Sequence, residues 1–213
     1  HRAQPKVVSI TNSTEYGTVY SVAEIKALAD HAHSLGMYLH LDGARISNAA
    51  ASLGSSLRAF TTDAGVDAVS LGGTKNGAMG AEAAVILNPD LVPAMKYVRK
   101  SAMQLASKMR FISIQLVAMF EGDLWLKNAQ HSNAMAQELY KGIKDIQGVK
   151  VEPPQANALF PILPAASIEP LQSVAKFYVW DHMINQVRWM CSWDTTQADV
   201  DTFVAAVKAE LAN

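Results

Sequence analysis

The stretch Ser70-Leu-Gly-Gly-Thr-Lys-Asn-Gly-Ala-Met-Gly80 sets one long cationic side chain, Lys75, among residues with almost no side chains. A lysine in a glycine-rich turn suggests a phosphate cradle. The P-loop spacing G-x-x-x-x-G-K-[ST] is absent, however, because Lys75 follows Thr74 and precedes Asn76. The amine needs another use, and Asp42, at the end of the run His40-Leu-Asp, offers one. An acid and a lysine on neighbouring strand ends, with glycines leaving space between them, can serve pyridoxal phosphate. The amine condenses with the cofactor's aldehyde, and the carboxylate keeps the pyridine nitrogen protonated so that the ring accepts electrons. The residues alone leave a plainer reading open, in which Asp42 caps the following turn and Lys75 is a solvated loop lysine.

Either reading depends on the elements that carry these residues. Residues 6–10 form a short buried strand, and residues 11–18, with Asn12 and Gly17, a loop leaving its carboxyl end. Ser21 with Glu24 makes a capping box, and Ile25, Leu28, Ala29 and Ala32 share a helical face until Gly36. Residues 37–41 are strand-like and end at Asp42-Gly43. Leu53 and Leu57 mark a weakly helical stretch, residues 66–71 make a third strand running into the lysine loop, and residues 81–87 a fourth. Strands alternating with helical connections predict an α/β fold with a mostly parallel sheet and flanking helices. In such a sheet ligands collect outside the carboxyl ends of the strands, where Asp42 and Lys75 both fall.

Residues 91–120 read as one long helical pattern rich in Met and Leu, and residues 123–144 as another helix. Beyond them the pattern mixes strands near 148–151, 158–163 and 187–191 with helices over about 169–179 and 196–211. The expected organisation is a large α/β domain over residues 1–120 and a small α+β domain over residues 121–213.

Half of the 213 residues are apolar, which suffices for a folded core. Eighteen basic against nineteen acidic residues, without a dense Lys/Arg run, argue against a nucleic-acid or anionic-membrane surface. The expected partner is a small molecule or another subunit. The single cysteine, Cys191, excludes an internal disulfide framework and fits a reducing, cytoplasmic setting. No segment approaches the apolar length of a membrane-spanning helix. His31 and His33 point to different sides of a helix, poor geometry for a shared metal, and read as surface residues. His40 lies on the face of Asp42, where it either supports that carboxylate or joins the core. Trp189 and Trp193 read as packing of the small domain.

The segment His40-Leu-Asp-Gly-Ala-Arg45, followed by Gly72-Gly-Thr-Lys-Asn-Gly77, resembles the low-specificity threonine aldolases, which are fold-type I pyridoxal-phosphate enzymes. The similarity continues through Gln104-Leu-Ala-Ser-Lys-Met-Arg110 and Arg188-Trp-Met-Cys-Ser-Trp-Asp194, and covers essentially the whole chain. It implies that Lys75 carries the cofactor, that Asp42 partners the pyridine nitrogen, and that Arg188 holds the substrate α-carboxylate with Arg45 beside it. It makes Arg110 a phosphate contact to which Thr74 adds its hydroxyl; for each arginine the plain alternative is a surface ion pair, worth about 0 to 1 kcal/mol. The implied activity is cleavage of L-threonine and related β-hydroxy-α-amino acids to glycine and an aldehyde, in a homodimer or homotetramer. It also implies a long segment ahead of His1, carrying the turn that cups the phosphate and a histidine that stacks on the cofactor. The chain is therefore expected to be a fragment, or to be completed by another chain, and no base for the β-hydroxyl is named. β-Elimination on the same scaffold, and a catalytically incompetent partner domain, are the rival readings.

Overall fold

The computed structural model describes residues 1–212, and two sheets organise them. In the first, β1 (Val7–Thr11), β2 (Tyr38–Gly43), β3 (Ala68–Gly72) and β4 (Glu82–Ile86) lie in that order. β1, β2 and β3 run parallel because α1 (Val22–Ser34), and then α2 (Ile46–Leu53) with the turns after it, cross back over one face. β4 is antiparallel to β3. Its connection is only residues 73–81, too short for a crossover, which takes about a dozen residues or more.

Alternation along β2 sorts the faces. Leu39 and Leu41 are buried against Ile25 and Ala29 of α1 and Ile46 and Ala50 of α2, while His40 and Asp42 point the other way. α1 starts as the sequence predicts, on the reciprocal Ser21–Glu24 box. α2 stops at Gly54 in the left-handed region, so Leu57 lies in turns beyond the helix. Just ahead of β3, Asp67 ties the layer together. Its Oδ2 accepts from Leu39 N at 2.7 Å and bonds His33 Nε2 at 2.8 Å, and its Oδ1 accepts from Asn88 Nδ2 at 2.6 Å. Burial alone would raise this carboxyl, but the hydrogen bonds from His33, Leu39 and Asn88 prevail and hold it below the usual range. His33 is thus a surface residue with a structural partner.

The expected single helix over residues 91–120 is two: α3 (Val92–Ser101) and α4 (Arg110–Phe120). Met103 and Lys108 between them take positive φ, a break that no Gly or Pro in residues 102–109 announces. α5 (Leu124–Ile143) then packs against α2 and against the last helix, α7 (Gln197–Leu211). The second sheet has the order β5 (Ala158–Leu159), β7 (Gln186–Met190), β6 (Tyr178–Asp181), all antiparallel, with α6 (Ala165–Val174) leading into β6. The helix expected over 169–179 ends early because Ala175 is extended and the run Phe177-Tyr-Val-Trp180, aromatic and β-branched, pairs with β7 instead. Its core gathers Leu139, Ile143, Leu171, Val187, Trp189 and Val207. No described helix is long and apolar enough to cross a membrane.

Candidate active site

Asp42 pairs with Thr11 on one side and Ser70 on the other, at the carboxyl ends of three parallel strands. Its Oδ1 accepts from Ala44 N at 3.0 Å, fixing the carboxylate in the turn, while Oδ2 makes no hydrogen bond among the described residues. The turn-capping role and a free acceptor oxygen therefore coexist. His40 shares this face but does not bond Asp42. Its Nδ1 meets Ser9 Oγ at 2.8 Å and its Nε2 meets Ser70 Oγ at 3.0 Å, stitching β1, β2 and β3 together below the carboxylate.

Lys75 stands in a single helical turn, Thr74–Asn76, directly after β3. Gly72 and Gly73 beside it bring backbones close together. A Cβ on Gly72 would lie 2.6 Å from Ala44 O, so the lysine loop and the Asp42 turn touch backbone to backbone. A Cβ on Gly73 would lie 2.6 Å from Ala81 O, and Gly77, at φ +112°, sits against Asn128 and Trp193. Two asparagines hold the loop from behind: buried Asn76 donates through Nδ2 to Trp125 O at 2.8 Å, and Asn128 Nδ2 donates to Asn76 O at 2.8 Å. Thr74 Oγ1 accepts from Ala81 N at 3.1 Å. Lys75 itself is exposed, without a hydrogen bond or ion pair among the described residues. Trp193, read from the sequence as small-domain packing, in fact abuts this loop at Gly77, whereas Trp189 is buried in the second core as expected.

Arg45 follows the Asp42 turn and precedes α2, and Arg188 comes from β7 of the other sheet. Burial lowers the affinity of Arg45 for its proton, the positive charge of Arg188 lowers it further, and Asp42 and Glu15 only partly offset this. Arg188 is likewise lowered by burial and raised by Glu15. Two guanidinium groups are thus gathered from separate sheets, and neither forms an ion pair among the described residues. Arg188 Nε is buried with no partner, and its Cζ lies 5.1 Å from the centre of the Trp180 ring. A buried unsatisfied donor on a charged group is costly unless an acceptor arrives, and a guanidinium fork matches a carboxylate.

Arg110 opens α4, exposed, with its Cζ 4.8 Å from the Phe111 ring, and is not brought into hydrogen-bond contact with the other candidates. Its helix does reach the lysine loop: Gly80 N donates to Gln115 Oε1 at 3.1 Å, and Leu116 lies against Gly73. Sequence reasoning missed Asn76, Asn128 and Glu15. Asn76 was visible only as the neighbour of Lys75, and the other two carry no local signal. An amine without a partner, a carboxylate oxygen without a donor and an unsatisfied arginine nitrogen fit a ligand carrying an aldehyde, a basic ring nitrogen and an acid.

Comparison with known proteins bears on the same residues. Residues 1–166 match the family described as beta-eliminating lyase. The chain is 41% identical over 211 residues to the low specificity L-threonine aldolase of a Pseudomonas species, covering 98% of this chain and 61% of that one. It is 43% identical over 199 residues to the enzyme of the same name from Pseudomonas aeruginosa, covering 92% and 57%. It therefore spans about three fifths of the length of these relatives. Among solved structures, the threonine aldolase of Leishmania major superposes with a TM-score of 0.89 at 31% identity, covering 97% of this chain and 61% of that one. The mainly parallel sheet with flanking helices and appended antiparallel sheet is the fold-type I arrangement of pyridoxal-phosphate enzymes. With more than half its residues matched and the lysine and aspartate motifs inside the match, the chain belongs to the beta-eliminating lyase family.

Proposed function

We propose that the protein is a pyridoxal-phosphate-dependent lyase that cleaves L-threonine and related β-hydroxy-α-amino acids to glycine and an aldehyde. The observation that carries this reading is a pair of partly buried arginines from different sheets, near enough for the charge of Arg188 to act on Arg45 and without an ion pair among the described residues, beside a strand end that holds Asp42 and abuts the lysine loop. When bound, the cofactor supplies a protonated ring that accepts the electrons released from a bond at Cα. Asp42 would hold the proton on the ring nitrogen of the bound cofactor. Lys75, which has no hydrogen bond or ion pair among the described residues, would supply the attachment amine. Arg188, with Arg45 beside it, grips the substrate carboxylate by paired hydrogen bonds and so fixes the direction of the Cα–Cβ bond. Thr74 and Arg110 would contact the phosphate, Arg110 from the start of α4.

Residues 1–120 form the large domain and 121–213 the small one, with α5 touching both cores. The assembly is a homodimer or homotetramer, supported by Phe111, Ile114 and Val117, which line an open apolar groove on α4. The setting is cytoplasmic, consistent with one buried free thiol. Borohydride reduction of the holoenzyme followed by peptide mass mapping tests the attachment: the added mass is expected on Lys75, and its appearance elsewhere overturns the assignment. The family description favours β-elimination as the second reading. Glycine with acetaldehyde from L-threonine supports the aldolase, whereas a 2-oxo acid with ammonia supports elimination.

A further inference from the structure

Arg188 lies against a cluster of aromatic rings drawn from both sheets. Between β6 and β7 the pairing runs Tyr178 to Arg188 and Val179 to Val187, then slips before Asp181 meets Gln186, leaving Trp180 as the extra residue of a β-bulge. Bulges of this kind redirect a side chain. The Trp180 ring meets three partners: the Arg188 guanidinium at 5.1 Å, the Phe160 ring at 5.5 Å and 71°, and the Tyr16 ring at 5.7 Å and 84°. Tyr16 comes from the loop after β1, so the first sheet braces the indole. That loop is itself pinned to the second sheet. Val19 N donates to Gln155 Oε1 at 2.7 Å, and Gly17, at φ +71°, lies so close to Ala158 that a Cβ would meet its Cβ at 3.2 Å. Among the described residues Arg188 forms no ion pair and its Nε is unsatisfied, with Glu15 acting on it only through its charge, so the indole face is the direct contact that can orient the guanidinium.

We propose that Trp180, braced by Tyr16, is the positioning residue that aims Arg188 at the α-carboxylate of the amino acid, an inference that rests on the carboxylate role given to Arg188 above. An unbraced arginine spreads over rotamers, and the carboxylate must then order it on binding. Binding weakens equally in ground and transition states, so KM rises while kcat holds.

The test compares Trp180→Leu, which keeps an apolar side chain without a ring face, with Trp180→Phe, which keeps a face, in the holoenzyme and alongside Arg188→Lys. Trp180→Leu is expected to raise KM for L-threonine about three- to tenfold at nearly constant kcat, and to weaken glycine binding measured by calorimetry in the same proportion. Trp180→Phe is expected to restore most of both. If Arg188→Lys weakens glycine binding and Trp180→Leu does not, the positioning role is overturned while the carboxylate reading stands. If neither variant moves glycine binding, the carboxylate reading falls and takes this inference with it. Should Trp180→Leu fail to fold, Tyr16→Leu at its exposed position decides: an unchanged glycine affinity overturns the proposal.

Discussion

Replacing Gly72 by alanine tests the juxtaposition on which the site depends. The backbone of Gly72 is not in the left-handed region, so alanine meets no conformational penalty there. Its cost is steric alone. The new Cβ would fall 2.6 Å from Ala44 O and 2.8 Å from Ala44 Cα, where ordinary contact begins at 3.4 Å. Both atoms belong to backbone, so no side chain can swing aside; β3 and the Asp42 turn must part by about 0.8 Å, the difference between those distances. Overpacking of this kind costs about 1 to 3 kcal/mol, which for a chain of this size lowers Tm by about 3 to 10 °C. The catalytic effect is larger, because the displacement separates Lys75 from Asp42, and an error near 1 Å in a reacting constellation costs about 100-fold in rate. Gly80→Ala is the matched control in the same loop, since its Cβ meets nothing within 4 Å. The assay is threonine cleavage by both holoenzyme variants, with thermal unfolding followed in parallel. If Gly72→Ala retains the activity and Tm of Gly80→Ala, the two strand ends do not act as one site and the argument fails.

Asn128→Ala removes the donor to Asn76 O and the brace against Gly77, and is expected to lower cleavage activity about tenfold while costing about 1 kcal/mol of stability; an unchanged kcat would show that the loop needs no brace. Asp67 is held below its ordinary value, so its stabilising bonds are fully present above the unfolded carboxyl pKa of about 4 and are lost as pH falls through the lower folded value. Wild-type stability should therefore decline below about pH 4 more steeply than that of Asp67→Asn, and parallel profiles of urea midpoint against pH would contradict this. Burial pushes the Cys191 thiol up to about 12, so a thiol reagent near pH 8 should label it only as fast as the protein unfolds, and prompt labelling of native protein would refute its burial. Ile114→Asp, at an exposed position on α4, should shift the assembly towards smaller species in sedimentation without lowering the protomer's Tm; an unchanged distribution would place the interface elsewhere.

The sequence by itself determined whatever is written in short-range pattern. The Ser21–Glu24 cap and the alternation that buries Leu39 and Leu41 and turns Asp42 to the opposite face follow from spacing within a few residues, because capping and the period of two are local constraints. The placement of Asp42 and Lys75 at the ends of two strands was legible for the same reason. Tertiary structure decided what depends on partners far along the chain. The run Phe177-Tyr-Val-Trp180 became a bulged strand because β7 was there to pair with it, and α3 parted from α4 through positive φ angles at Met103 and Lys108 that no residue type demanded. Asn76 gained its role only from α5, and Arg45 came within reach of the charge of Arg188 only through tertiary folding. Long-range pairing energy is set by which surfaces meet, and no local preference encodes that meeting.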